Sequence, residues 1–270
     1  MQISKPTQAL TPYVKQYWSL ETCSPPDRQH IQCIVPNGLM EINFYFDSRP
    51  RYLSPEKQPD LCSTSMITGQ QNRHFKLEIT GKLSMFSVTF LPYGIMMLFG
   101  IPAKELLNQH VPFQCLSKEQ CYEWETRLSE TRSFEEKCRV MDKLLYKQLR
   151  VKEKHDYEEK RIARTLMQIN QSRGLSHPDS LASGACLSRK QYERIFSEHI
   201  GISPKQFLKI VRFQHTVYDK QLNSYKDLTR LAYDSGYYDQ SHMINDFKSL
   251  SGMTPKAYFS ECEPYSDYFS

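Results

Sequence analysis

Up to about Phe90 the apolar residues recur every second position. In "LMEINFYF", Ile42, Phe44 and Phe46 fall on one side and Glu41, Asn43 and Tyr45 on the other, the period expected of a half-buried strand. "YVKQYWSLE", "SMITGQ", "HFKLEITG" and "LSMFSVTFLP" carry similar patterns. Gly81-Lys82, between the last two, predicts a hairpin turn, and the proline-rich "SRPRYLSPEKQPD" predicts a loop.

From about Tyr93 the period changes. "YGIMMLFG" and "PAKELLNQ" predict short helices. From Ser117 to Lys154, Trp124, Leu128, Phe134, Cys138, Met141, Leu145 and Leu149 recur at three- and four-residue steps, with a break near Thr131. That predicts one or two amphipathic helices, whose apolar stripe either packs on its own sheet or forms a dimer seam. The charged run "RVKEKHDYEEKR" marks a boundary near residues 150 to 160, and everything beyond it reads as helix. The expected fold is α+β: a β-rich domain with trailing helices over 1–150, then an all-α domain over 157–263.

A single pattern occurs twice within the helical region. "CLSRKQYERIFSEHIGISPKQFL" and "YYDQSHMINDFKSLSGMTPKAYF" align Phe196 with Phe247, Gly201 with Gly252, Pro204 with Pro255 and Phe207 with Tyr258 at a shift of 51. Upstream the shift is 50, so the turn before the second helix is one residue longer. Ser188, with Gln191 three residues on, has capping-box spacing, and Asp239 caps the second copy. Ser203-Pro204 and Thr254-Pro255 each start a further helix, with proline where a missing N–H costs nothing. Tyr192, Ile195 and Phe196 face inward in the first copy, and Met243, Phe247 and Leu250 in the second. The exposed faces carry Lys190, Gln191, Arg194 and Glu198, then Gln240, Ser241, Asn245 and Lys248. This is the helix-turn-helix plan, used twice. A helix of some 19 residues between the copies, about 28 Å long, approaches the roughly 34 Å of one DNA turn.

Charge supports that reading. Residues 160–256 hold 15 Lys+Arg against 8 Asp+Glu, a net of +7, whereas residues 1–159 hold 20 against 19. The excess is the footprint of a phosphate-binding surface. The eight cysteines form no C-x-x-C pair and do not cluster with the histidines at metal-ligand spacing, so neither a metal nor another cofactor is expected. Scattered cysteines, a start without a basic, apolar leader and the lack of a long apolar run point to mostly buried, reduced thiols in a cytoplasmic protein that does not span a membrane.

"SGYYDQSHMINDFKSLSGMTPKAYF" resembles the second helix-turn-helix signature of the AraC/XylS family of bacterial transcription regulators, through Gly236, Tyr237, Asp239, Ser241, His242, Phe247, Lys248, Gly252, Thr254, Pro255 and Tyr258. Leu181 to Pro204 resembles the family's other motif, and the resemblance covers about residues 157–260. Met243 stands where the family usually has Phe, and Asn245 where it frequently has Arg. The resemblance implies double-stranded promoter DNA as partner, RNA polymerase recruitment, and an N-terminal regulatory or dimerisation domain that takes a small-molecule effector or forms a homodimer. "VPNGLMEINFYF" and "ITGQQNR" are similar to the domain that precedes such modules in a subset of the family. The implied DNA-binding residues are Arg189, Lys190, Gln191, Arg194, Gln240, Ser241, His242, Asn245 and Lys248.

Two rivals use the same residues. A helical-repeat module for protein contacts would not need the exposed Lys190, Arg194 and Lys248. A DNA-repair enzyme would need an activated cysteine in the N-terminal half, and Cys23, Cys33 and Cys62 lack a basic setting to lower a thiol pKa. His30, His74 and His110 form no metal pattern, so no catalytic residues are expected. Glu41, on the polar side of its strand, is either a solvated carboxylate or one wall of a ligand cavity.

Overall fold

The computed structural model describes residues 1–23, 30–53, 63–150, 156–223, 225 and 227–262. Cys62 and the charged run from 151 to 155 lie outside them. The chain forms two compact units: one from Met1–Ile34, Leu39–Gln70 and Phe75–Asp156, the other from Val35–Gly38, Gln71–His74 and the chain from Tyr157 onward.

The first unit holds nine strands among the described residues: β1 (Gln2–Ser4), β2 (Val14–Cys23), β3 (His30–Ile34), β4 (Met40–Tyr45), β5 (Arg51–Leu53), β6 (Ser65–Thr68), β7 (Phe75–Ile79), β8 (Lys82–Phe90) and β9 (His110–Pro112). They make an antiparallel six-stranded sheet, β1-β2-β8-β4-β6-β9, and a three-stranded sheet, β3-β7-β5. Helices α1 (Gly94–Phe99), α2 (Lys118–Ser129) and α3 (Phe134–Arg150) follow, with 3-10 turns at Ala103–Leu106 and Phe113–Cys115.

Three strand expectations need correction. Gly81-Lys82 is not the turn of a hairpin, because β7 and β8 belong to different sheets. Both edges of β8 are taken by β2 and β4, so β7 has no edge of β8 to pair with. The backbone changes sheet at Gly81, where φ is +70°. Residues 51–53 of the expected loop form β5, paired with β7. And β4 is not half-buried: Asn43 and Tyr45 are covered as fully as Ile42 and Phe44, because both faces of the sheet are used, while Phe46 lies past its end and is exposed.

One face packs against α2 and α3. Trp124 meets Phe44, Phe99 and Phe113 at ring-centroid distances of 6.5, 5.9 and 5.1 Å. Leu128, Cys138, Met141, Leu144 and Leu145 complete that core, with Phe134 and Leu149 partly buried against it. The helix break near Thr131 is present as the gap between α2 and α3. Asp142 ties α3 down, accepting hydrogen bonds from the Tyr17 hydroxyl at 2.7 Å and the Thr7 amide at 3.2 Å. Of the two readings of the Trp124–Leu149 stripe, packing on its own sheet is therefore the one the fold uses. On the other face, His110 stacks on Tyr52 at 4.0 Å and Phe75 at 4.5 Å, and burial lowers its pKa to about 4.

The second unit is helical: α4 (Asp156–Gln171), α5 (Pro178–Gly184), α6 (Arg189–Ile200), α7 (Pro204–Leu222), α8 (Leu228–Asp234), α9 (Gln240–Ser251) and α10 (Pro255–Glu261). Among the described residues no helix is long and apolar enough to cross a membrane. Among the described thiols, Cys121 and Cys138 are buried, Cys33 and Cys262 are half-buried, and Cys115 and Cys186 are exposed, so the expectation of mostly buried thiols does not hold for them.

Met141→Glu places a carboxylate in a closed core. It should cost several kcal/mol, by the rule that an unpaired buried charge ranks among the most destabilising changes, roughly 3 kcal/mol or more. Urea denaturation checks it, and a variant as stable as the parent would show that the stripe is not core. His110 supplies a pH signature. Its folded pKa lies below the ordinary value near 6.5, so its contribution is intact above that pH and is lost as pH falls toward 4. The loss should approach roughly 3 kcal/mol and be much smaller in His110→Phe, read as the pH dependence of the denaturation midpoint.

Candidate nucleic-acid interface

The two helix-turn-helix units are α5–α6 and α8–α9. Four residues link the first pair and five the second, the one-residue difference expected from the shifts. Each turn carries a left-handed residue at the same place: Cys186 at φ +55° and Gly236 at φ +76°. A side chain at Gly236 would also run into Leu175, with carbon atoms 2.5 Å from the added Cβ.

Local capping starts the helices. The Ser188 side chain accepts from the Gln191 amide, and Gln191 Oε1 accepts from the Ser188 amide at 3.2 Å and from its hydroxyl at 2.8 Å. Ser203 and Gln206 repeat this box at α7. Asp239 accepts from the His242 amide at 2.7 Å. Gly201 and Gly252 end α6 and α9 in the left-handed conformation.

Helix α7 joins the units. Phe207 near its start packs edge-on against Phe196 of α6 at 5.7 Å, and Phe213, nearly two turns later, packs against Phe247 of α9 at 4.7 Å. Tyr192, Ile195, Phe196, Met243, Phe247 and Leu250 are all buried, as their spacing predicts.

The expected DNA-binding residues occupy different settings. Lys190, Arg194, Ser241, Asn245 and Lys248 are exposed. At the shift of 51, Lys190 and Arg194 correspond to Ser241 and Asn245. Arg194 lies 3.6 Å from Glu198, a solvent-screened pair. Arg189 is exposed but engaged with Asp179 of α5 and with Glu193 at 2.7 Å, which holds α5 to α6. Gln191 is spent on its capping box. Gln240 accepts from the Thr229 hydroxyl of α8 at 3.2 Å. His242 turns toward the interior: its ring stands edge-on to Tyr237 at 5.2 Å, and its Nε2 lies 3.5 Å from Arg212.

Spacing alone missed Asp246. It lies on α9 between the buried Met243 and Phe247 and is 5% exposed. Its carboxylate takes Arg212 at 3.0 Å and Lys209 at 3.2 Å, both from α7. Arg212 also lies over the Tyr237 ring at 4.7 Å. The corresponding residue of the first copy is the apolar Ile195. The available signal was an acid at an inward helical position and two cations three apart on the connecting helix. Tyr238, in the turn before α9, is 85% exposed.

Known proteins match this arrangement. Residues 181–261 match the model of a helix-turn-helix domain, and residues 2–112 match that of a domain of unknown function. A Haemophilus influenzae protein described as an uncharacterized HTH-type transcriptional regulator is 32% identical over 102 residues, 37% of this chain and 34% of that protein. The chain thus spans about a third of that relative's length. The crystal structure of ToxT from Vibrio cholerae bound to (E)-4-(8-methylnaphthalen-1-yl)but-3-enoic acid aligns with a TM-score of 0.50 at 11% identity, over 90% of this chain and 98% of that one. A 1.65 Å structure of ToxT gives a TM-score of 0.49 at 10% identity, over 90% and 98% of the two chains. Two capped helix-turn-helix units on one connecting helix agree with the helix-turn-helix domain whose model residues 181–261 match. The likeness to ToxT is one of fold.

Asp246→Ala would leave Arg212 buried without its partner and should cost about 3–5 kcal/mol. Replacing both residues, Asp246→Leu with Arg212→Met, should recover most of that loss, because neither charge is then stranded. Chemical denaturation of the three variants checks the pair. A double variant no more stable than Asp246→Ala would show that the cost lies in packing.

Proposed function

We propose that the protein regulates transcription by laying α6 and α9 in successive major grooves on one side of promoter DNA. The observation that carries this is the pair of matched recognition helices, buried on corresponding faces and held by a single helix of 19 residues, about 28 Å long. Lys190 with Arg194, and Ser241 with Asn245, are the solvent-facing pairs that read base edges in this proposal. Lys248 contacts phosphate. Arg189, Gln191, Gln240 and His242 act through position: three brace or cap the helices, and His242 belongs to the Arg212–Tyr237 group.

The N-terminal unit conditions DNA binding in this reading, through a small molecule, with RNA polymerase as the downstream partner and the cytoplasm as the setting. ToxT, which shares the fold, has a crystal structure bound to a small enoic acid, and that supports a ligand-taking role here. Self-association through a homodimer requires a surface other than the Trp124–Leu149 stripe. The protein acts without catalysis: burial pushes the Cys138 thiol up to about 11 and raises that of Cys121, which keeps both protonated and unreactive near neutral pH.

The test is binding-site selection from random DNA with the full chain. Arg194→Ala should cost about 1–3 kcal/mol and relax preference at one or two base pairs in one half of the site. Asn245→Ala should relax it about one helical turn away, at an adenine, the base whose N6/N7 edge suits an amide. Lys248→Ala should weaken all sequences alike. The log–log salt slope should lie between roughly −4 and −8, as expected for about five to nine neutralised phosphates. An unchanged motif in both Arg194→Ala and Asn245→Ala, or a slope near zero, would overturn the groove assignment.

A further inference from the structure

Laid over one another, the two helix-turn-helix units share few residues. Between residues 181–208 and 231–259 the same residue recurs at only six places. Five of these have a reason inside the protein. Leu181 with Leu231, Ala182 with Ala232 and Phe196 with Phe247 are buried. Gly201 and Gly252 end α6 and α9. Pro204 and Pro255 are buried and open α7 and α10, where no N–H is needed. The sixth pair is Lys205 with Lys256, the one exposed side chain that both copies hold in common.

Neither lysine has an internal reason to be a cation. Each is the second residue of its helix, and the first turn of both helices holds no acid. That turn carries the positive end of the helix dipole, where a cation is mildly unfavourable. Several other cations of the helical unit are paired: Arg189 with Glu193, Lys209 and Arg212 with Asp246, and Arg230 with Asp234. Among the described residues Lys205 and Lys256 take part in no such pair.

The positions assigned to base contacts behave in the opposite way. Where the first copy has Lys190 and Arg194, the second has Ser241 and Asn245. Different bases in two half-sites call for different side chains, whereas every phosphate is alike. A side chain kept in both copies therefore suits the backbone. An ammonium is a compact point charge, which fits a phosphate without demanding one geometry. Each lysine also stands only four residues past the glycine that ends its recognition helix. A major groove about 12 Å wide just admits a helix with its side chains, so phosphate strands flank the helix closely on both sides.

We propose that Lys205 and Lys256 are matched phosphate clamps, one beside each recognition helix, that hold α6 and α9 to the DNA backbone whatever the sequence. The proposal rests on the groove reading of these two helices and adds the contacts that position them. The ammonium groups make the contacts, not the helix ends. Because the lysines occupy equivalent places in the two units, the phosphates they take lie about one helical turn apart, roughly 10 base pairs.

The experiment is a fluorescence-anisotropy titration of the full chain with its selected duplex and with a random one, over a range of salt. Lys205→Gln and Lys256→Gln should each lower the magnitude of the log–log slope by about 0.9, and together by about 1.8. In about 0.1 M salt each should weaken both duplexes about eightfold, the counterion-release value for one phosphate, and leave the selected motif unchanged. Lys205→Arg and Lys256→Arg should keep the parent's slope. Lys104→Gln, at an exposed lysine of the N-terminal unit, changes the net charge equally and should leave the slope as it is. Urea midpoints equal to the parent's tie any loss to DNA rather than to folding. A single neutral methylphosphonate at the contacted position should cancel the effect of one lysine variant, and a second, about 10 base pairs away, that of the other. An unchanged slope in either glutamine variant, a relaxed motif, or an equal loss in Lys104→Gln would overturn the clamps. If Arg194→Ala and Asn245→Ala still relax the motif in that case, the groove reading stands and only the clamps fail. Slopes that fall as expected while those two variants keep the motif count against the groove reading alone.

Discussion

The helical unit depends on one constraint: α7 is a continuous helix buried at both of its functional contacts. Phe207 belongs to the core beneath α6 and Phe213 to the core beneath α9. A helix advances about 1.5 Å per residue, so six residues between these anchors leave little freedom in how far apart the recognition helices stand. Where two separate domains on a linker would move independently, two units on one packed rod present their faces together. The entropy of ordering the two units is lost once, at folding.

The two units are not held alike. The first recognition helix is seated by Tyr192, Ile195 and Phe196, contacts that tolerate small changes of angle. The second adds a directional clamp, Asp246 between Lys209 and Arg212, with Arg212 braced on Tyr237. A buried ion pair contributes little net stability compared with an apolar pair of the same volume, but it strongly disfavours rotations that break it. Asn245 precedes Asp246 in the chain and is exposed, so the clamp also sets where Asn245 points. Asn245 sits on the helix that carries this clamp, whereas the residue next to Arg194 that corresponds to Asp246 is the apolar Ile195.

The two faces of the large sheet in the β-rich unit are built differently. The face under α2 and α3 is filled with Phe44, Phe86, Val88, Trp124 and their neighbours, and supplies the burial that a domain of this size needs. That leaves the opposite face free to carry polar groups, including Asn43 Oδ1 and Ser87 Oγ, which have no hydrogen-bond partner among the described residues. Because the residues of a strand alternate between faces, a change on one face leaves those of the other in place.

Much of this was legible before any coordinates. Ser188 with Gln191, Ser203 with Gln206, Asp239, and the glycine stops at 201 and 252 act within four residues of chain, so spacing alone located the helices and the repeat. The inward residues of α6 and α9 followed from the same period. Partners brought from far along the chain were not legible in this way. Nothing near Gly81 says that β8 already has β2 and β4 on its edges, so the expected hairpin failed. Asp246 reads as one more surface acid until α7 carries Lys209 and Arg212 to it from more than thirty residues away. The motif marks Arg189, Gln191, Gln240 and His242 as DNA-binding residues, and the fold adds that three are engaged in caps and braces and the fourth lies against Tyr237. Local sequence set the helices, their caps and the alternation of Glu41, Asn43 and Tyr45. Only tertiary structure decided which polar side chains were left unpaired and which were used up, because hydrogen bonds and ion pairs depend on atoms that the fold alone brings within about 3 Å.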